Sequence, residues 1–258
     1  MKKRRLGDHG PVVSAIGLGC MGMSEFYGPT DDERSKKVLL RALENGVTLL
    51  DTADTYGNGH NERLIATALK EWRQEVFVAT KFGIVRNPGD YQRQICGRPD
   101  YVRRAVEQSL QRLEVEAIDL YYVHRIDTTV PIEDTVGAMA DLVREGKIRY
   151  IGLSEPSAKT VLRAHAVHPI TCVQSEYSLF TRDVEPSLLP VLRENGIGFV
   201  SYSPLGRGML TGKLTKETLQ DQTDFRRLLP RMSGGNYEAN MNLVNQLKEI
   251  ADSRKVRL

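Results

Sequence analysis

The chain has 258 residues, 40% hydrophobic and 27% charged, with 36 Lys and Arg against 33 Asp and Glu. That length allows one large domain or two small ones with a substantial core. A net charge of +3 without a clustered basic stripe argues against nucleic acid as the main partner. No apolar run approaches the roughly 20 residues of a membrane-spanning helix.

Lys2, Lys3, Arg4 and Arg5 carry the charge of a signal-peptide front, but a turn over residues 6–11 follows where an apolar segment would be needed. The start therefore reads as a surface strand leading into a hairpin. Cys20, Cys96 and Cys172 are few, odd in number and scattered, so a disulfide framework is not expected and a reducing cytosol is the natural home. Strands are expected at residues 12–18, 75–81, 117–124 and 170–174. A first helix is expected from Asp31 or Asp32, and others at 99–113, 132–145, 157–166, 187–195 and about 240–253. In the helix at 99–113, Pro99 takes the first position, and Val102, Val106, Leu110 and Leu113 share one face.

Residues 42–51, 142–154 and 192–202 read almost alike. Each is the tail of an amphipathic helix, a glycine placed for a left-handed cap, and a short apolar strand ending at a polar residue. Apolar strands alternating with helices imply a parallel sheet covered on its outer side, in a barrel or a doubly wound fold. No linker or composition shift divides the chain, so residues 1–258 read as one domain. Two long connections, residues 83–98 and 204 to about 237, are candidates for functional loops.

Gly17, Gly19 and Gly22 match G-x-G-x-x-G after a strand. That fingerprint needs a helix opening at the glycines, and here the helix starts about ten residues later, so a dinucleotide-binding Rossmann unit is not expected. Residues 206–213 are Gly-rich but wrongly spaced for a triphosphate loop. The residues that end the strands are Asp51, Lys81, His124, Ser154, Gln174 and Tyr202. Six different functional groups at the C-terminal ends of strands point to a site there.

The segments Asp51-Thr52-Ala53-Asp54-Thr55-Tyr56-Gly57, Ala79-Thr80-Lys81-Phe82-Gly83 and Leu120-Tyr121-Tyr122-Val123-His124 resemble the three signature blocks of the aldo-keto reductases. Gly152-Leu153-Ser154-Glu155 and the run from Tyr202 to Gly208 resemble that family's cofactor segments, and the blocks occur in the family's order. The resemblance implies an α/β fold, a (β/α)₈ TIM barrel with an N-terminal β-hairpin across its bottom. It implies an enzyme that binds NADP(H) without a Rossmann unit and reduces small-molecule aldehydes or ketones.

It assigns Tyr56 as proton donor, Lys81 as the cation beside it, Asp51 as the group holding that cation, and His124 as the orienter of the substrate oxygen. A nearby ammonium is expected to pull the Tyr56 phenol down from its ordinary value near 10. For the cofactor it assigns Met21, Asp51, Ser154, Glu155, Gln174, Tyr202, Ser203, Leu205, Gly206, Arg207, Gly208 and Lys213. Tyr202 would stack on the nicotinamide, Ser154 and Gln174 would grip its carboxamide, and residues 203–213 would wrap the pyrophosphate. Glu155 stands where many members of the family have Asn, which alters that grip. Arg226, Arg227 and Arg231 could cover the cofactor or be solvated loop charges. Phe26, Tyr27 and the 83–98 loop would shape the substrate pocket. No spacing among His60, His165 and His168 suggests a metal.

Only seven strands can be counted, and the eighth βα unit that the resemblance implies is missing from this chain. An incomplete or naturally shortened chain is preferred to completion by a partner. A cofactor-binding but catalytically impaired or regulatory relative is the alternative to an active reductase.

Overall fold

The computed structural model describes residues 1–87 and 92–258. It opens with an antiparallel hairpin, β1 (Lys3–Arg5) paired with β2 (Val12–Ser14). The turn docks on the barrel through Asp8 N, which donates to Gly196 O over 2.8 Å. The expected strand at 12–18 is in fact two. Ser14 N donates to Thr48 Oγ1 at 2.8 Å and Ser14 Oγ accepts from Thr48 N at 2.9 Å. These side-chain bonds end the hairpin strand, and the chain then enters the barrel as β3 (Leu18–Gly19).

After β3, a single 3₁₀ turn at Met21–Met23 stands where a Rossmann fold would begin its helix; α1 (Asp32–Glu44) starts later, with Asp31 accepting from Arg34 N as its cap. Then come β4 (Leu49–Asp51), α2 (His60–Trp72) and β5 (Phe77–Phe82). A small hairpin of β6 (Ile84–Val85) and β7 (Gln94–Ile95) occupies part of the 83–98 connection; residues 88–91 of that connection lie outside the described residues. The remaining units are α3 (Pro99–Leu113), β8 (Ile118–Val123), α4 (Ile132–Arg144), β9 (Ile148–Ser154), α5 (Ala158–Val167), β10 (Cys172–Glu176), α6 (Leu188–Glu194), β11 (Gly198–Tyr202) and α7 (Gly235–Ser253).

Among the described residues, seven parallel strands form one sheet in the order β11, β10, β9, β8, β5, β4, β3. This is a nearly closed TIM-type barrel, with β3 and β11 as its edges. The glycines expected to cap the repeated helices do so: Gly46, Gly146 and Gly196 take φ of 82°, 74° and 63°. Val102, Val106 and Leu113 of α3 are fully buried beneath the helix ring, as the spacing predicts. α2 is not among the helices expected from the sequence, and α7 begins five residues earlier than expected. No helix among the described residues is long and apolar enough to cross a membrane.

Candidate active site

Strand register sets the site. Asp51 ends β4 opposite Ala79, Lys81 lies opposite Tyr122, and Gln174 lies between Ser154 and Val200. The C-terminal strand ends thus bring Asp51, Lys81, Ser154 and Gln174 to one mouth of the barrel. Tyr56 follows β4 on a turn whose Tyr56 N donates to Ala53 O at 3.2 Å, and His124 N donates to Phe82 O at 2.8 Å just beyond β8.

Lys81 is only 1% exposed. Its Nζ donates to Asp51 Oδ1 at 2.5 Å and to Thr52 O at 2.7 Å, and lies 5.3 Å from the Tyr56 ring centre. It is close enough to the Tyr56 hydroxyl for each group to act on the other's protonation. Burial alone would discharge the amine, but the Asp51 carboxylate and the Tyr56 oxygen outweigh it and hold the Lys81 pKa above its ordinary value. The Tyr56 ring meets His124 edge-on, with centroids 5.7 Å apart and planes at 83°.

Tyr56 departs from expectation. Its pKa is raised, because burial outweighs the downward pull of Lys81 and Asp51 adds to the rise. The ammonium beside it limits the rise without reversing it, so the phenol keeps its proton through the neutral range. His124 is pushed well below its ordinary pKa by burial and by the charges of Lys81, Arg125 and Arg93. It is a neutral imidazole at pH 7, and its buried Nδ1 has no partner among the described residues.

A cavity of about 1160 Å³ opens beside these groups. Of the sequence-derived candidates, Met21, Asp51, Tyr56, His124, Ser154, Gln174, Tyr202, Ser203, Leu205, Arg207 and Gly208 line it. The cavity follows the seam between β3 and β11 down to Leu6 and Val13 of the hairpin. Lys81 sits behind its wall, bonded to Asp51. Gly206 is buried beneath the rim, and Lys213 is exposed and outside the lining.

Two candidates are engaged differently from the expectation. Gln174 Nε2 donates to Asp51 Oδ2 at 2.7 Å, which leaves its carbonyl oxygen for a ligand. Glu155, at φ 55°, accepts from Glu176 N at 2.9 Å, and its charge, after burial, helps push the Tyr202 phenol pKa up. Of Arg226, Arg227 and Arg231, Arg226 alone lines the cavity, with its Nη2 2.6 Å from Asp224 Oδ2 and its guanidinium over the Tyr27 ring. Arg231 is bound to Glu176 instead.

Sequence reasoning missed Arg125. It follows His124 directly, lines the cavity, and donates through Nη1 to His124 O at 2.6 Å and Ser154 Oγ at 3.2 Å. Its place one residue past a strand end was the available signal.

A nearly closed parallel barrel with a Tyr, Lys, Asp and His cluster at its C-terminal mouth defines a class of barrel oxidoreductase. Sequence comparison agrees: the profile of the Aldo/keto reductase family matches residues 15–258. A relative described as "Probable aldo-keto reductase 1", from Glycine max, is 47% identical over 249 residues, which cover 96% of this chain and 71% of the relative. Among solved structures, a glycerol dehydrogenase (AKR11B4) from Gluconobacter oxydans superposes with a TM-score of 0.88 at 30% identity, covering 99% of this chain and 79% of that one. The holo form of an aldo-keto reductase (AKR11C1) from Bacillus halodurans superposes with a TM-score of 0.76 at 34% identity, covering 83% of this chain and 70% of that one. The chain belongs to the aldo-keto reductase family.

Proposed function

We propose that this chain, as one barrel domain over residues 1–258, reduces aldehydes or ketones to alcohols with NADPH, and that Tyr56 donates the proton. The observation that carries this reading is the convergence of Tyr56, Lys81, Asp51 and His124 beside one cavity, with Lys81 Nζ bonded to the Asp51 carboxylate and 5.3 Å from the Tyr56 ring centre.

The cavity fits a nicotinamide dinucleotide. Ser154 Oγ and the free carbonyl of Gln174 lie side by side in register, suited to a carboxamide. The Tyr202 ring, in the cavity lining, offers a flat face at the end of β11. Ser203, Gly206, Arg207 and Gly208 take positive φ between 48° and 97°, and with Gly206 N donating to Ser203 O and Gly208 N to Leu205 O the loop winds tightly along the cavity rim. Arg207 adds a cation in the lining, and Met21 closes the opposite rim. The NADP form is proposed on the likeness to the family.

A bound reduced nicotinamide supplies hydride. The protein does the rest. The substrate oxygen accepts from the Tyr56 hydroxyl and from the one N–H of the neutral His124, which fixes the carbonyl carbon in a productive orientation. As negative charge develops on that oxygen, Tyr56 passes its proton to it, and the Lys81 ammonium stabilises the phenolate left behind. Asp51 keeps Lys81 charged through the cycle.

Tyr56→Phe tests the assignment. It should keep NADPH binding, read by fluorescence titration, and lower aldehyde turnover by orders of magnitude. Unchanged turnover would sink the assignment. Wild-type protein that binds NADPH but consumes none with an activated aromatic aldehyde would favour a regulatory role.

A further inference from the structure

The arginines around the catalytic end of the cavity are not alike. Arg86 Nη2 lies 2.5 Å from both carboxylate oxygens of Glu25, and Arg226 is forked onto Asp224. Both are neutralised. Arg125 and Arg93 line the same cavity and have no carboxylate partner among the described residues, yet both are close enough to His124 for their charge to act on it. Arg125 is half-buried and uses only Nη1, on the neutral acceptors His124 O and Ser154 Oγ. Its Nε and Nη2 have no protein acceptor among the described residues. Those two N–H groups are the side-on fork that matches the two oxygens of a carboxylate. The other walls near the mouth are apolar, with Phe26, Ile84 and Phe225.

Resting on the reductase reading above, we propose that Arg125, assisted at the rim by Arg93, selects carbonyl substrates that also carry a carboxylate, such as carboxylated aromatic aldehydes or semialdehydes. The carboxylate pairs with Nε and Nη2 of Arg125 while the carbonyl meets Tyr56 and His124, so the substrate is held at two points.

The test compares para-carboxybenzaldehyde with benzaldehyde at fixed NADPH and low ionic strength. Wild type should favour the carboxylated aldehyde by about tenfold or more in kcat/KM, the scale of one charged hydrogen-bonded contact. Arg125→Gln should erase most of that ratio through KM of the carboxylated substrate, Arg125→Lys should keep part of it, and Arg93→Gln should reduce it mildly. A wild-type ratio near one, or an equal loss for both aldehydes in Arg125→Gln, overturns the proposal. If neither aldehyde is reduced, the reductase reading fails instead, and calorimetric titration with para-carboxybenzyl alcohol still decides the anion site. Binding that weakens about tenfold in Arg125→Gln supports it. Absent or unchanged binding rejects it.

Discussion

Gln174 reaches Asp51 from two strands beyond the centre of the sheet, its Nε2 donating to Oδ2 at 2.7 Å while Lys81 occupies Oδ1 at 2.5 Å. One carboxylate thus joins the residue proposed to support proton transfer to the residue proposed to hold the cofactor. Asp51→Asn removes the charge and leaves one amide oxygen for two donors, so at most one of the two arms survives. Lys81, 1% exposed, would lose its counter-ion, and removing one partner of a buried pair costs about 3–5 kcal/mol. Urea unfolding should register that loss, and turnover should fall at least a hundredfold as the Lys81 pKa drops. Gln174→Ala leaves the ion pair intact, so it should weaken cofactor binding with little loss of stability. Equal stability losses in the two variants would show that the ion pair is not what anchors this corner.

His124 makes stability depend on pH with a definite sign. Its folded pKa lies well below the ordinary 6.5, chiefly from burial and then from Lys81, Arg125 and Arg93. Between the folded value and 6.5 the unfolded chain binds a proton that the folded chain refuses, so stability falls as pH drops through that window. The contribution is complete above about 6.5 and is lost at up to about 1.4 kcal/mol per pH unit below it. His124→Gln should flatten the decline between pH 6.5 and 5 by about that slope, measured by urea midpoints at stepped pH. A decline of the same steepness in the variant would assign it to other groups.

Much of this arrangement was legible from residue order, because the helix–glycine–strand units at 42–51, 142–154 and 192–202 place Asp51, Ser154 and Tyr202 at strand ends, and Lys81 and Gln174 are the polar residues that close two further apolar runs. What was hidden depends on contacts between distant segments. The 12–18 run looked like one strand, and only its partner Thr48, 34 residues from Ser14, divides it. The rise in the Tyr56 pKa could not be read from a neighbouring lysine, since burial decides it. Glu155 looked like a substitute for an amide-gripping asparagine, but with its backbone at φ 55° the carboxylate accepts from Glu176 N.

That bond to Glu176 N, at the end of the strand beside Tyr202, has a consequence for cofactor affinity. Glu155→Ala leaves Glu176 N without its acceptor and loosens the strand end that Glu176 shares with Tyr202. Loss of one hydrogen bond on an exposed carboxylate corresponds to about 1 kcal/mol, or roughly fivefold in the NADPH dissociation constant. Glu155→Gln keeps an acceptor and should recover most of the affinity. The pair of variants, titrated side by side, separates that bond from a general charge effect, because the charge is absent in both and the acceptor in only one.

Behind the site, Glu62 is fully buried, accepting from Thr80 Oγ1 at 2.6 Å and from Arg112 Nε at 2.6 Å. Thr80 precedes Lys81 on β5, so this buried bond pins the strand segment that presents the ammonium. Glu62→Ala leaves the Thr80 hydroxyl without its acceptor and Arg112 without its counter-charge, and should cost about 3–5 kcal/mol by urea unfolding. Arg112 is 18% exposed and can regain some water, which places the expected loss toward the lower figure. Glu62→Gln keeps an acceptor for Thr80 while removing the charge, so it should destabilise less than Glu62→Ala. Its NADPH binding should stay near that of wild type, because Glu62 does not line the cavity. A Glu62→Gln variant as unstable as Glu62→Ala would mean that charge, rather than the hydrogen bond to Thr80, holds β5 in register.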